Sequence, residues 1–251
     1  MTSLRLLAAG LLLAGLCLAG SSAGPARAQT SPSELAAKVQ ARYQSIHSLK
    51  ADYHRLSRFQ AAGGQPGRVV EGKGKLTWAR PLSLRLLQLE PRRELVVTTR
   101  QGVWWSRPQR RRADLYPLEQ FTSGLRSLLD ALGGLARLEK SFTLEKPDPE
   151  EQALGQGGPV LVLKPKQSRV DLKRLVIWFS PDLVLRGFRM VSLMGDVTEY
   201  RLSRVKVNPP LTPETFTFTP DPSFTIRDHR SRVPAASRGS QRGHTRGSEN
   251  E

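Results

Sequence analysis

Apolar and polar positions alternate most clearly between Gly72 and Ser106, GKGKLTWARPLSLRLLQLEPRRELVVTTRQGVWWS. Leu76 and Trp78, then Leu82, Leu84 and Leu86, stand two apart, the spacing that sends side chains to one face of a pleated strand. Glu90-Pro91-Arg92-Arg93 breaks the run. Leu95 to Thr99 is rich in β-branched residues, and Gln101-Gly102 turns the chain into Val103-Trp104-Trp105. Consecutive antiparallel strands with one apolar face are predicted. Within them, Trp78-Ala79-Arg80-Pro81 sets a cation and a proline beside an aromatic, a local conflict of the kind that marks functional positions.

Two stretches carry a helical period instead. Ser31-Pro32-Ser33-Glu34 has the residues of a capping box with proline in the first turn, and Leu35, Val39, Tyr43 and Ile46 then form one apolar stripe. From Leu49 the period falls to two, with Leu49, Ala51 and Tyr53 alternating against Lys50, Asp52 and His54, before a Gly-rich turn from Ala61 to Gly67. Arg107 to Arg112 reads as a solvated basic loop. A second amphipathic helix is predicted from about Leu118 to Leu132, with Phe121, Leu125, Leu128 and Leu129 on one face and Gly133-Gly134 ending it. Short strands, Phe142 to Lys146 and Val160 to Lys164, flank a polar loop from Pro147 to Gly158. Longer strands run from Leu172 to Phe179, Val184 to Leu193 and Val197 to Val207, and a last short strand covers Thr215 to Thr219.

The pattern defines an α+β, mostly β chain: a curved antiparallel sheet and two helices whose apolar faces need covering. A sheet that curls and is capped by such helices encloses a hydrophobic cavity suited to a lipid, with a plain helix-on-sheet core as the alternative. At 251 residues one domain is expected. It spans 29–226, after a secretory leader over 1–28 and before a disordered basic tail over 227–251. The leader has Arg5, an apolar run from Leu6 to Ala19 and the cleavage pattern Ala26-Arg27-Ala28. The only cysteine, Cys17, falls inside it; a lipid anchor there is the alternative to free release, disfavoured by bulky Leu16, and cleavage after Ala28 leaves no disulfide, thiolate nucleophile or thiolate metal site.

The net charge of +17, or +15 without Arg5 and Arg27, suggests anionic partners, with a basic surface that only keeps the protein soluble as the alternative. Nucleic acid is disfavoured by export and by the lack of any zinc-finger, RNP or helix-turn-helix pattern, which leaves anionic lipid or an acidic protein surface. Catalytic motifs fare poorly. Gly20-Ser21-Ser22-Ala23-Gly24 matches a nucleophile elbow but lies in the leader. Gly67 to Lys73 imitates a phosphate loop, yet Gly74 stands where Ser or Thr would hold magnesium and a strand follows. His47, Asp52 and His54 straddle a helix-to-strand change, and side chains that simply face water account for them. No catalytic residue, metal site or cofactor is expected.

The order of the pieces resembles the periplasmic outer-membrane lipoprotein carrier family (LolA-like) over roughly Leu35 to Ile226. The similarity is carried by Ser45 to Tyr53, Gly74 to Pro81, Gln101-Gly102-Val103-Trp104, Gly195-Asp196-Val197-Thr198, and Asn208-Pro209 leading to Phe216-Thr217-Phe218. The resemblance implies a half-open β-barrel closed by a lid of amphipathic helices, acting as a monomeric periplasmic carrier. Acyl chains of lipoproteins would be taken from an inner-membrane ABC-type lipoprotein-releasing complex and delivered to an outer-membrane lipoprotein receptor. It also implies that Arg80, before the proline, latches the lid. The expected cavity lining is Leu76, Trp78, Leu84, Leu86, Val97, Trp104, Trp178 and Phe188, and the expected lid is Leu35, Val39, Tyr43, Ile46, Phe121, Leu125, Leu128 and Leu129. Ser192 replaces the family's acidic residue before the turn glycine, which keeps a lipid-binding envelope sensor of the same fold as the alternative; a lipid-ester hydrolase using His47 or His54 is a second one.

Overall fold

The computed structural model describes residues 30–61, 66–118, 141–167 and 172–230. The expected leader lies outside the described residues, as do Phe121, Leu125, Leu128 and Leu129 of the second helix and the tail beyond 230.

The first element is helix α1, Pro32–Gln44. Ser31 Oγ accepts the Glu34 N–H at 3.2 Å, and the Glu34 carboxylate accepts the Ser31 N–H at 2.9 Å. The reciprocal pair satisfies amides that the first turn would leave free. The strands follow: β1 Ser48–Phe59, β2 Arg68–Ala79, β3 Ser83–Glu90, β4 Glu94–Thr99, β5 Gly102–Arg107 and β6 Arg112–Tyr116. The second half contains β7 Phe142–Glu145, a short helix α2 Pro149–Leu154, β8 Val160–Pro165, β9 Arg174–Phe179, β10 Leu185–Val191, β11 Val197–Val207 and β12 Thr225–Asp228. All strands join one open curved sheet in the order β12-β6-β5-β4-β3-β2-β1-β11-β10-β9-β8-β7. Two meanders meet along β1 and β11, where Tyr53 lies opposite Leu202. The pairs are antiparallel except at one edge, where β12 runs parallel to β6.

Four readings of the sequence are corrected here. Arg112 does not end a solvated loop; it begins β6, whose charges are absorbed because Arg112 and Arg107 both pair with buried Asp114. The polar stretch after Pro147 contains α2, started by a capping box in which Asp148 and Glu151 exchange backbone hydrogen bonds at 2.8 and 3.0 Å. Thr215 to Thr219 is not a strand: Pro213–Phe216 forms a 3₁₀ turn closed by the Thr217 N–H on the Glu214 carbonyl. The ordered chain also runs past Ile226, since β12 extends to Asp228 and the His229 N–H reaches the Leu115 carbonyl at 2.8 Å.

The sheet is covered on both faces, by different elements. On one face α1 packs on the large cluster that includes Leu49, Leu76, Trp78 and Phe188. On the other, α2 brings Leu154 to Val160, Val162, Val176 and Trp178. Toward the opposite edge, Phe218 and Phe224 from the chain after β11 pack on Leu95, Val97, Trp104, Ala113 and Leu115. Beneath Trp178 sits Gly187, where any Cβ would stand 2.2 Å from the indole and 2.4 Å from the Tyr200 carbonyl. Only glycine allows that approach.

Candidate functional site

Along β1 the side chains of Leu49, Ala51, Tyr53 and Arg55 share a face, because successive strand residues point to opposite sides. Pairing carries that face onto β2, where Leu49 lies opposite Trp78, Ala51 opposite Leu76, Tyr53 opposite Gly74 and Arg55 opposite Gly72. On β3, Leu84 and Leu86 continue it beside Trp78 and Leu76. Across β11, Phe188 stacks on Tyr200 with ring centroids 4.7 Å apart. Leu35, Val39, Tyr43 and Ile46 of the first helical segment press onto these residues, and all join one buried cluster.

Tyr43 connects helix to sheet at two points. Its ring lies 6.3 Å from that of Trp78 at 60°, and its hydroxyl accepts the Leu185 N–H at 3.1 Å. Burial pushes the hydroxyl's pKa well above its ordinary value, so it remains a neutral acceptor. Tyr43→Phe would strand the buried Leu185 amide; a loss of about 1–3 kcal/mol in urea unfolding is expected. An unchanged midpoint would show that the bond contributes nothing net.

Arg80 follows the last residue of β2. Its backbone N–H donates to the His47 carbonyl at 3.0 Å, and its guanidinium Nη2 donates to the Tyr43 carbonyl in the last turn of α1. Carbonyls there lack a full set of intrahelical partners and form the negative end of the helix dipole, so a cation is favoured. The contact is reinforced by the residue that follows β11. Asn208 accepts the His47 and Ser48 N–H groups at 2.7 and 3.3 Å and donates to the Ser45 carbonyl at 2.8 Å. Among the described residues, Arg80 Nε and Trp78 Nε1 are buried without a hydrogen-bond partner.

Of the eight expected lining residues, Leu76, Trp78, Leu84, Leu86 and Phe188 lie on the α1-covered face. Val97, Trp104 and Trp178 do not, and the register gives the reason. Val97 is paired with Arg85, between inward Leu84 and Leu86, and Trp104 is paired with Val97, so both face away from α1. Trp178 is paired with Val160 and Gly187, out of phase with Ile177 and Phe188, and belongs to the α2-covered cluster.

The His47, Asp52 and His54 grouping is dispersed. The His47 amide is tied to Asn208, Asp52 pairs with Arg204, and His54 Nε2 stands 3.3 Å from Glu71. Asp52 and His54 open onto a groove of about 320 Å³ on the face opposite α1, lined also by Lys73, Lys75, Arg201 and Arg204. Among the described residues no three His, Cys, Asp or Glu side chains gather as metal ligands. Arg55 and Gln88, joined at 2.9 Å, were not picked out as site residues, although the alternation through Leu49, Ala51 and Tyr53 puts Arg55 next on the same face.

The chain is thus an open β-sheet with a helix laid on one apolar face and a cation tying the helix end to the strand end. The chain belongs to the family described as outer membrane lipoprotein carrier protein LolA, whose model matches residues 47–219. It is 28% identical over 192 residues to the outer-membrane lipoprotein carrier protein of Salmonella paratyphi A, covering 74% of this chain and 89% of that one. Similar solved structures include an uncharacterized conserved protein from Thermus thermophilus, at 12% identity with a TM-score of 0.46, covering 79% of this chain and 99% of that one. A LolA superfamily protein from Nitrosomonas europaea matches at 13% identity and a TM-score of 0.37, covering 73% of this chain and 97% of that one.

Proposed function

We propose that this chain is a periplasmic carrier that shields the acyl chains of lipoproteins on the α1-covered face and moves them from the inner to the outer membrane. The observation that carries the reading is the cover itself: α1 lies on Leu76, Trp78, Leu84 and Phe188 and is fastened at its C-terminal end by Arg80 on the Tyr43 carbonyl. A charged hydrogen bond adds about 1.5–3 kcal/mol net, enough to keep an empty face closed and little enough to yield to cargo. A carrier is needed because at about 0.8 kcal/mol per methylene, roughly 45 methylenes of lipoprotein acyl chain would cost on the order of 35 kcal/mol in water. The work is binding and hand-over, with no covalent step. Leader cleavage after Ala28 delivers the chain to the periplasm, an inner-membrane ABC-type lipoprotein-releasing complex supplies cargo, and an outer-membrane receptor accepts it.

The test is lipoprotein release. Inner-membrane vesicles bearing the releasing complex are incubated with the protein and with Arg80→Leu, and soluble lipoprotein complexes and their onward transfer are assayed. The unsubstituted protein is expected to release and deliver cargo. Arg80→Leu is expected to hold cargo and to lose most of its transfer, since without the latch nothing favours re-closure and expulsion of the acyl chains. Folded protein that forms no soluble complex from a competent donor would instead point to a lipid-binding sensor.

A further inference from the structure

The α1-covered face changes character along β1. Two strand positions beyond Tyr53 it presents Arg55, opposite Gly72 on β2 and Tyr200 on β11. The Arg55 guanidinium donates to Gln88 Oε1 at 2.9 Å and to Ser57 Oγ at 3.5 Å, both neutral acceptors, and its Nε is shielded from solvent with no partner among the described residues. Glu94, opposite Gln88, takes the Trp105 indole N–H at 3.0 Å instead. A Cβ on Gly72 would stand 2.8 Å from Gln88 Oε1 and 3.2 Å from Arg55 Nη2, so the glycine leaves the space that the pair occupies. A partly buried cation without a counter-ion is costly. Here it stands at the end of an apolar face, with room made for it and one donor free.

We propose that Arg55 is the headgroup subsite of an amphiphile. Acyl chain lies along Leu76 and Phe188, and an anionic oxygen, of a phosphate or a carboxylate, completes the guanidinium. Four strand positions separate Ala51, beside Leu76, from Arg55, about 13 Å, so one bound molecule reaches both. This goes beyond the carrier reading by admitting an anionic amphiphile, and it rests on that reading only in taking the apolar face as the acyl site.

The experiment uses the protein purified from the periplasmic fraction and single-chain amphiphiles of one acyl length below their micelle concentrations: monoacylglycerol, lysophosphatidylglycerol and free fatty acid. Titration calorimetry is expected to show an anionic amphiphile binding about tenfold or more tightly than monoacylglycerol, the factor that one charged hydrogen bond supplies. Which anion is preferred separates phosphate from carboxylate. Arg55→Gln is expected to remove the preference while leaving monoacylglycerol affinity within about twofold, because Gln keeps a neutral polar group there. Lys75→Gln, on the opposite face, is expected to keep the preference and so excludes a mere effect of net charge. Equal binding of neutral and anionic amphiphiles, or a preference that survives Arg55→Gln, overturns this proposal alone. No binding of any amphiphile overturns both it and the carrier reading.

Discussion

Replacing Asp114 with alanine is expected to lower the unfolding free energy by about 3–5 kcal/mol, the loss typical of removing one partner from a buried ionic cluster. The carboxylate is fully buried and bonds to Arg107, Arg112 and His229. Its loss leaves cations side by side with nothing between them. His229 follows β12 and also stacks on Tyr116 at 4.5 Å and 3°, so loss of its bond to Asp114 is expected to loosen that strand as well. Urea unfolding measures the total, and amide exchange at Ile226 to His229 shows whether the edge strand goes first. The pH dependence has a definite sign. Burial pushes the Asp114 carboxyl up, but hydrogen bonds from Arg112, His229 and Arg107 more than reverse this and hold it at about 2, below the ordinary 3.8. A carboxylate with a lower pKa folded than unfolded adds stability above about pH 4 and loses it as the pH falls toward 2. The gap between wild type and Asp114→Ala is therefore expected to shrink over that window. A gap that stays constant down to pH 2 would mean that the carboxylate's charge is irrelevant.

Trp78→Ala is expected to cost about 3–5 kcal/mol, and Trp78→Phe less than about 1.5 kcal/mol. The indole is 1% exposed between Tyr43 of α1 and Leu84 of β3, so alanine opens a void where helix meets sheet. Phenylalanine fills most of that volume and deletes an indole N–H that has no partner among the described residues. The two substitutions separate volume from polarity. Equal losses would show that the indole nitrogen is satisfied in solution by a group such as water.

Much of the α1-covered face was legible because its strands obey a simple rule. Leu49, Ala51 and Tyr53 alternate with charged neighbours, and that contrast sets the inward side of β1 and, by pairing, of β2 and β3. The rule fails where the sheet is covered twice. Val160 to Leu163 are all buried, as are Leu175 to Phe179, because α2 lies on one side and the large cluster on the other. Period two then carries no sign, which is why Trp178 is expected on the α1-covered face and lies on the other. Val97 and Trp104 were misplaced for the same reason, with Phe218 and Phe224 as the unforeseen cover. Strand β6 was hidden by its charges, which look solvated in sequence and are paired in space. The Arg80 contact with α1 was anticipated through the family pattern; periodicity by itself offered only an ill-fitting cation.

The strand order also dictates how the molecule assembles. β1 is the first made of the described strands, yet one of its two partners is β11, with Leu49 opposite Val207. Until β11 has been made, β1 to β6 form a meander whose β1 edge has unpaired amides and carbonyls next to an apolar surface, the arrangement most open to wrong pairing. Closure of the β1–β11 seam is a long-range step that waits for loop closure across most of the sequence. On the carrier reading proposed above, a protein that keeps other molecules' acyl chains from aggregating thus passes, as it folds, through a stage that needs the same protection.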